Sequence, residues 1–282
     1  MVTPGGAGER IPIFLNPRAG GGDRTDVADR VVALFAARGI EASVMTWPGN
    51  GLADRVRDAA RGASTVVAGG GDGTVSTVAS GLAGTPVRLG VLPLGTLNHF
   101  AKDAGIPLDL EGAIGVIADG HAVAVDVGEV NGRTFINNCS LGVYPAIVRG
   151  REQLQKRGHG KWVSFLVSAV STLWRPPRAR VTLDADGQRT SCKTTFVMVG
   201  NNAYEVLGLN LGGRASLTGG RIVAYLGSSL TELQVVPAGQ LRIDIARLRN
   251  IQLAIDGEVS TTSMPIECRS RPAALHVFVP RT

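Results

Sequence analysis

Aromatic residues make up only 5% of the 282 positions, so any sizeable core must be built mainly from Val, Leu, Ala and Ile. Cysteine is scarcer still. Cys139, Cys192 and Cys268 lie far apart and form no Cys-x-x-Cys, which excludes a zinc signature and an even disulfide framework. A reducing, cytoplasmic setting is the expectation. The segment Met1 to Arg10 is Gly-rich and polar and lacks the apolar stretch of a signal peptide. Long apolar runs are also missing. The longest, Trp162 to Trp174, is interrupted by Ser and Thr and falls short of the roughly 20 residues that span a bilayer. Helix-turn-helix, zinc-finger and RNP-like aromatic motifs are absent, so nucleic acid is not expected as a partner. No internal repeat is visible.

What the chain does contain is apolar residues (44%), glycine (38 residues) and a net charge of +6. The length suits two domains of ordinary size. The glycines have no triplet period; they cluster, as in Gly20-Gly21-Gly22 and Gly69-Gly70-Gly71, which signals tight turns. A positive balance draws a protein to polyanions: nucleotides, nucleic acid or an anionic membrane.

The first third alternates strand and helix. Residues 11–15 read as a buried strand, 23–38 as a helix closed by Gly39, 42–46 as a strand, and 51–61 as a helix. Residues 64–68 form a third strand, 75–82 a helix, 87–92 a fourth strand, and 98–103 and 110–119 two more helices. Such alternation predicts parallel pairing with right-handed crossovers and ligands at the carboxyl ends of the strands. After about residue 122 the rhythm changes. Residues 123–130, 134–140, 180–184, 193–199, 222–226, 241–247, 251–255 and 275–279 all read as strands, and only 161–174 reads as a convincing helix. The expected architecture is an α/β three-layer nucleotide-binding domain over residues 1–123 and a β-sandwich-like domain over 124–282, with the last few residues packing back on the first.

Three loops fall at the carboxyl ends of the first-domain strands. Gly69-Gly70-Gly71-Asp72-Gly73-Thr74 joins a strand to a helix; its glycines let backbone N–H groups approach a phosphate, and the helix N-terminus adds positive partial charge. Asp72 would repel phosphate, so Mg²⁺ binding or proton transfer suits it better, while Thr74 can cap the helix or bond a phosphate oxygen. No Gly-Lys-Ser/Thr follows, so this is not a Walker A loop; a glycine turn with an Asp cap is the plainer alternative. Asn16-Pro17-Arg18-Ala19-Gly20 offers an Asn and a glycine turn to the same phosphates. Pro93 to Ala101 offers Gly95, Thr96 and Asn98, with His99 assigned to a cap or the surface. In the second domain, Asp256-Gly257-Glu258 would place two carboxylates on one side if extended. The pair could then hold a metal, or one member could act as a base. A β-turn with solvated acids is the other reading.

Taken in order, these motifs resemble the diacylglycerol kinase catalytic-domain family, which includes bacterial lipid kinases and sphingosine and ceramide kinases. The matches are Asn-Pro-x-x-Gly at Asn16 to Gly20, Gly-Gly-Asp-Gly-Thr at Gly70 to Thr74, and Pro-x-Gly-Thr-x-Asn at Pro93 to Asn98. Asp-Val-Gly at Asp126 and Asp-Gly-Glu at Asp256 to Glu258 complete the set. The Gly-Gly-Asp-Gly loop alone would fit an NAD kinase equally. The resemblance implies ATP lying against Asn16, Pro17, Gly20, Thr46, Gly69 to Thr74, Gly95, Thr96 and Asn98 in a cleft between the domains. It further implies Mg²⁺ held through Asp72 and Asp126, a catalytic role for Asp72, and Asp256 or Glu258 as base, with Glu258 preferred. The implied role is phosphorylation of a lipid hydroxyl, with a place in phospholipid biosynthesis. One departure stands out: where some bacterial members have an Asp-Gly that holds a structural Mg²⁺, this chain reads Leu217-Thr218-Gly219-Gly220-Arg221.

Arg151, Lys156, Arg157 and Lys161 precede the apolar stretch ending at Trp174, followed by Arg175 and Arg178. This arrangement suits peripheral contact with an anionic membrane, or else a helix covering the second domain. A homodimer is left open. The rival functions are a kinase for a soluble acceptor such as NAD and a non-catalytic lipid-binding protein on the same fold.

Overall fold

In a computed structural model, residues 10–16, 24–45, 47, 51–142, 178–207, 210–227, 233–246 and 248–281 are described. The expected helix at 161–174, its basic flank, and Pro17, Gly20 and Thr46 lie outside these residues. Contacts divide the chain into one unit of residues 1–127 and 272–282, and a second of residues 128–271.

The first unit opens with β1 (Ile11–Leu15), every residue of which is buried, as expected for a strand covered on both faces. There follow α1 (Arg24–Ala36), β2 (Ala42–Met45), α2 (Leu52–Ala59), β3 (Thr65–Gly70), α3 (Asp72–Leu82), β4 (Arg88–Pro93), α4 (His99–Asp103) and α5 (Leu110–Ala118). Strands β2, β1, β3 and β4 pair in parallel in that spatial order. Returning chain at His276 and Val277 joins in parallel beside β4. Gly39, at φ +71°, closes α1 in the left-handed conformation that favours glycine after a helix. The core is aliphatic, with Phe14, Phe35 and Phe100 as its largest fully buried members in this unit apart from Phe278.

The second unit is all strand among its described residues. It begins within β5 (Ala122–Val130) and continues through β6 (Arg133–Phe135), β7 (Asn138–Gly142), β8 (Ala179–Ala185), β9 (Gln188–Thr194) and β10 (Phe196–Asn201). Next come β11 (Tyr204–Leu207), β12 (Asn210–Arg214), β13 (Ile222–Gly227), β14 (Leu233–Ala238), β15 (Gln240–Ile245), β16 (Asn250–Ile255), β17 (Glu258–Ser263) and β18 (Ile266–Phe278). An antiparallel sheet runs β14-β13-β10-β7-β16-β17, and its inward side chains share one core with those of β8, β15 and the start of β18.

Three of the expected strands come out differently. Residues 134–140 are two strands, because the chain bends at Ile136 and Asn137. Residues 193–199 span a corner at Thr195, where the Thr194 hydroxyl accepts the Gly227 N–H and donates to neighbouring carbonyls instead of leaving a straight ladder. Residues 275–279 include only the end of a 13-residue strand, whose pattern is masked by Arg269-Ser270-Arg271-Pro272 and by Ala273 at φ +52°.

Candidate functional site

In the first unit, the strand ends bring two of the glycine loops together. Asn16 leaves β1 with its N–H on the Gly69 carbonyl (2.8 Å) and its Nδ2 donating to Thr74 Oγ1 (3.2 Å). Gly69 pairs with Leu15 and Gly70 with Pro93, so the ends of β1, β3 and β4 are level. Helix α3 starts at Asp72, three residues earlier than the pattern suggests. Gly71 is extended, and its carbonyl accepts the N–H groups of both Thr74 and Val75. Thr74 therefore lies inside the first turn rather than at the cap.

Gly71 sits directly against Gly95: a Cβ on Gly71 would lie 3.3 Å from Gly95 Cα, and one on Gly95 would be closer still to Gly71 Cα. The contact holds the loop after β3 on the loop after β4, helped by Leu94 N–H donating to the Gly70 carbonyl at 3.0 Å. Asn98, left-handed at φ +49° and buried, turns its amide back on its own loop. Its Oδ1 accepts the Gly95 N–H (3.0 Å), and its Nδ2 donates to the carbonyls of Gly95 (2.8 Å) and Pro93 (3.2 Å). Asp72, 7% exposed, accepts the Phe100 N–H at 3.3 Å and so ties the first turn of α3 to α4. Thr96 and His99 are exposed, while Gly73 is exposed with open space where its Cβ would be. Sequence reasoning missed the Asp72–Phe100 tie and the Asn98 bracket, since neither leaves a periodic signal.

Asp126 lies on β5, 4% exposed, with Oδ1 accepting the Ala273 N–H at 3.0 Å. The glycine of Asp-Val-Gly has a packing reason: a Cβ on Gly128 would run into the Phe135 ring on the paired strand.

In the second unit, Asp256 and Gly257 are the two central residues of the β16–β17 hairpin, at φ +43° and +87°, the signature of a type I′ turn. The segment is therefore not extended, and the two carboxylates differ sharply. Asp256 is 3% exposed and accepts three backbone N–H groups: Ile136 on Oδ2 (2.8 Å), and Asn137 (2.9 Å) and Asn138 (3.0 Å) on Oδ1. Glu258, paired with Ile255 across the hairpin, is exposed.

Residues 217–221, where an Asp-Gly was the expectation for a structural cation, carry no carboxylate. A side chain at Gly219 would start 2.8 Å from Asn202 Oδ1. These residues do not fit a carboxylate-held cation. Among the described residues no helix is long and apolar enough to cross a membrane.

Glycine loops at the carboxyl ends of a parallel sheet, beside the N-terminus of α3 and its Asp72, are an arrangement suited to phosphate groups, as phosphotransferases need. The comparisons narrow the class. Residues 10–130 match the family model described as diacylglycerol kinase catalytic domain. A Citrobacter koseri protein called "probable lipid kinase YegS-like" is 31% identical over 87% of this chain and 88% of its own length. A Pseudomonas putida protein of the same name is 28% identical, covering 84% of each. The crystal structure of a diacylglycerol kinase from Bacillus anthracis superposes with a TM-score of 0.75 at 23% identity, covering 96% of this chain and 97% of that one, which supports the fold. The chain belongs to the diacylglycerol kinase catalytic-domain family of lipid kinases, and it is a kinase.

Proposed function

We propose that the protein transfers the γ-phosphoryl group of ATP to the hydroxyl of diacylglycerol or a related lipid at an anionic membrane surface. The observation that supports this most is the seating of Gly71 on Gly95 beside the N-terminus of α3. It forms a cradle in which backbone, not side chain, faces the ligand. The triphosphate would rest on Gly70 to Thr74, with the exposed face of Gly73 and the positive end of an 11-residue helix toward it. Asn16 and Asn98 set the two loops, and Thr96 offers its hydroxyl. Pro17, Gly20 and Thr46 keep their proposed nucleotide roles, and the inter-domain active cleft is part of the same proposal.

Asp72 and Asp126 would hold Mg²⁺. The donor set fits this ion, which takes one or two carboxylates and completes its shell with phosphate oxygens and water. Among the described residues no cluster of three ionisable ligands forms, so substrate oxygens are needed. When bound, the ion supplies charge neutralisation on the phosphates. On the acceptor side, Glu258 takes the hydroxyl proton, and Asp256, its oxygens engaged by backbone, anchors the hairpin that presents Glu258.

The test is ATP consumption with Mg²⁺ and separate vesicles containing dioleoylglycerol, ceramide, sphingosine or a polyprenol, with products identified by mass. Asp72→Asn serves as the paired control. Asn keeps an acceptor oxygen for Phe100 N–H and removes the charge, so the variant should fold yet lose roughly 100-fold or more of turnover. A new lipid phosphate that is absent with the variant supports the proposal. Phosphorylation of NAD without vesicles, or lipid binding with no ATP consumption, would replace it.

A further inference from the structure

Arg214, at the end of β12, is 5% exposed. Burying a guanidinium is costly unless its donors are matched, so its partners indicate what it is there to hold. Its Nη1 donates to the Ile136 carbonyl at 2.5 Å and to the Asn201 carbonyl at 3.2 Å; its Nη2 donates to Asn137 Oδ1 at 2.9 Å. The guanidinium also lies over the Tyr204 ring, 5.5 Å from its centroid. The Tyr204 hydroxyl in turn accepts from Asn138 Nδ2 at 3.4 Å.

Besides the Asn201 carbonyl, Arg214 engages Ile136 and Asn137 directly and Asn138 through Tyr204, and these last three are the residues whose N–H groups hold Asp256. The bend at 136–138 is thus gripped from both sides. Asp256 takes its N–H groups. Its carbonyls go to Arg214 and Asn201 Nδ2 (Ile136), to the Asn201 N–H (Asn137) and to the Asp256 N–H (Asn138). One link is specific. The Ile136 carbonyl and the Asn137 N–H belong to the same peptide group, and that group connects Arg214 Nη1 to Asp256 Oδ1. A cation on the oxygen end of a peptide polarises it and strengthens the bond made by its N–H end.

We propose that Arg214 is a positioning residue for the Asp256-Gly257-Glu258 hairpin, holding the Asp256 carboxylate through the Ile136–Asn137 peptide. The proposal rests on the reading that this hairpin serves the acceptor hydroxyl. Nothing in the sequence marks Arg214, which follows Gly212-Gly213 in a short two-stranded sheet 42 positions before Asp256.

The test uses the full chain and two readouts. In amide-resolved NMR of the free protein, Arg214→Met should move the Asn137 N–H resonance upfield and speed its hydrogen exchange. Arg214→Lys, which keeps a charge but loses the fork, should fall between Met and wild type. Asp256→Asn must also move the Asn137 resonance, since that amide reports on the carboxylate. In the vesicle assay with dioleoylglycerol, Arg214→Met should lower kcat on the order of 10- to 100-fold while leaving KM for ATP within about 2-fold, as expected when a reacting group drifts by around 1 Å. An Arg214→Met protein with unmoved Asn137 and Asn138 amides and wild-type kcat overturns the proposal; if that variant does not fold, the same comparison is made on Arg214→Lys. If the wild type phosphorylates no lipid, the lipid-kinase reading fails on its own, and the Asn137 resonance still decides the role of Arg214.

Discussion

Gly95→Ala is the sharpest perturbation the glycine cradle offers. The added methyl would stand 2.8 Å from Asn98 Oδ1 and 3.3 Å from Gly71 N, and nearer still to Gly71 Cα. Carbon contacts are comfortable at about 3.5–4.0 Å, so the two loops must separate by roughly 1 Å. Neither obstacle yields cheaply. Gly71 is backbone at the start of α3, and Asn98 is buried and bonded three times within the loop. Overpacking of this kind costs about 1–3 kcal/mol, which for a unit of residues 1–127 and 272–282 lowers Tm by roughly 3–10 °C. The same displacement of the loops proposed to hold the nucleotide should cost about 100-fold in turnover. Gly73→Ala is the matching control. A Cβ there meets nothing within 4 Å, and Ala suits a helix better than Gly, so Tm should hold or rise. Affinity for ATP should nevertheless fall, because the methyl would occupy the face proposed for phosphate. The measurements are thermal melts, and KM and kcat for ATP, on all three proteins. Gly95→Ala with wild-type Tm and wild-type KM for ATP would refute the argument that the two loops are wedged together to hold the nucleotide.

Further outcomes are expected elsewhere. Asp186, in the β8–β9 turn, accepts the N–H groups of Gly239 and Gln240, which hold its carboxyl below the usual value. A depressed folded-state value stabilises the protein above the unfolded value, and that contribution is lost as pH falls through the folded one. The Tm gap between wild type and Asp186→Asn should therefore be present at neutral pH and close on acidification; a gap that is constant with pH would contradict this. Gly219→Asp, which supplies a carboxylate to residues 217–221, should lower Tm because its Cβ meets Asn202 Oδ1 at 2.8 Å. Added Mg²⁺ should not recover that loss in melts, and full recovery would show that a cation site exists there after all.

The alternating first third was legible because parallel strands covered on both faces leave continuous apolar runs, as in Ile11 to Leu15, and the intervening helices leave a 3.6-residue period. Those signals are local, and so were the glycine loops that follow each strand. Legible too were three hairpin turns in the second unit, of which only Asp256-Gly257 was weighed, as a β-turn or an extended segment. Asn131-Gly132, Asp186-Gly187 and Asp256-Gly257 all have positive φ at both positions, as such dipeptides favour in two-residue hairpins. The turn reading of Asp256-Gly257 holds, but only Glu258 is solvated, since Asp256 is buried on the N–H groups of residues 136–138.

What the sequence determined by itself was the order of motifs, the parallel nucleotide-binding architecture and the family, since each is carried by residues adjacent along the chain. What tertiary structure decided was which groups those residues meet. Gly71 touches Gly95, Asp72 ties α3 to α4, and Asp256 closes on the Ile136–Asn138 bend that Arg214 grips from its other side. The physical reason is common to all three. Buried polar groups and close backbone contacts must be satisfied wherever the fold brings partners, and partners 24, 28 and 119 positions apart leave no local periodicity to read.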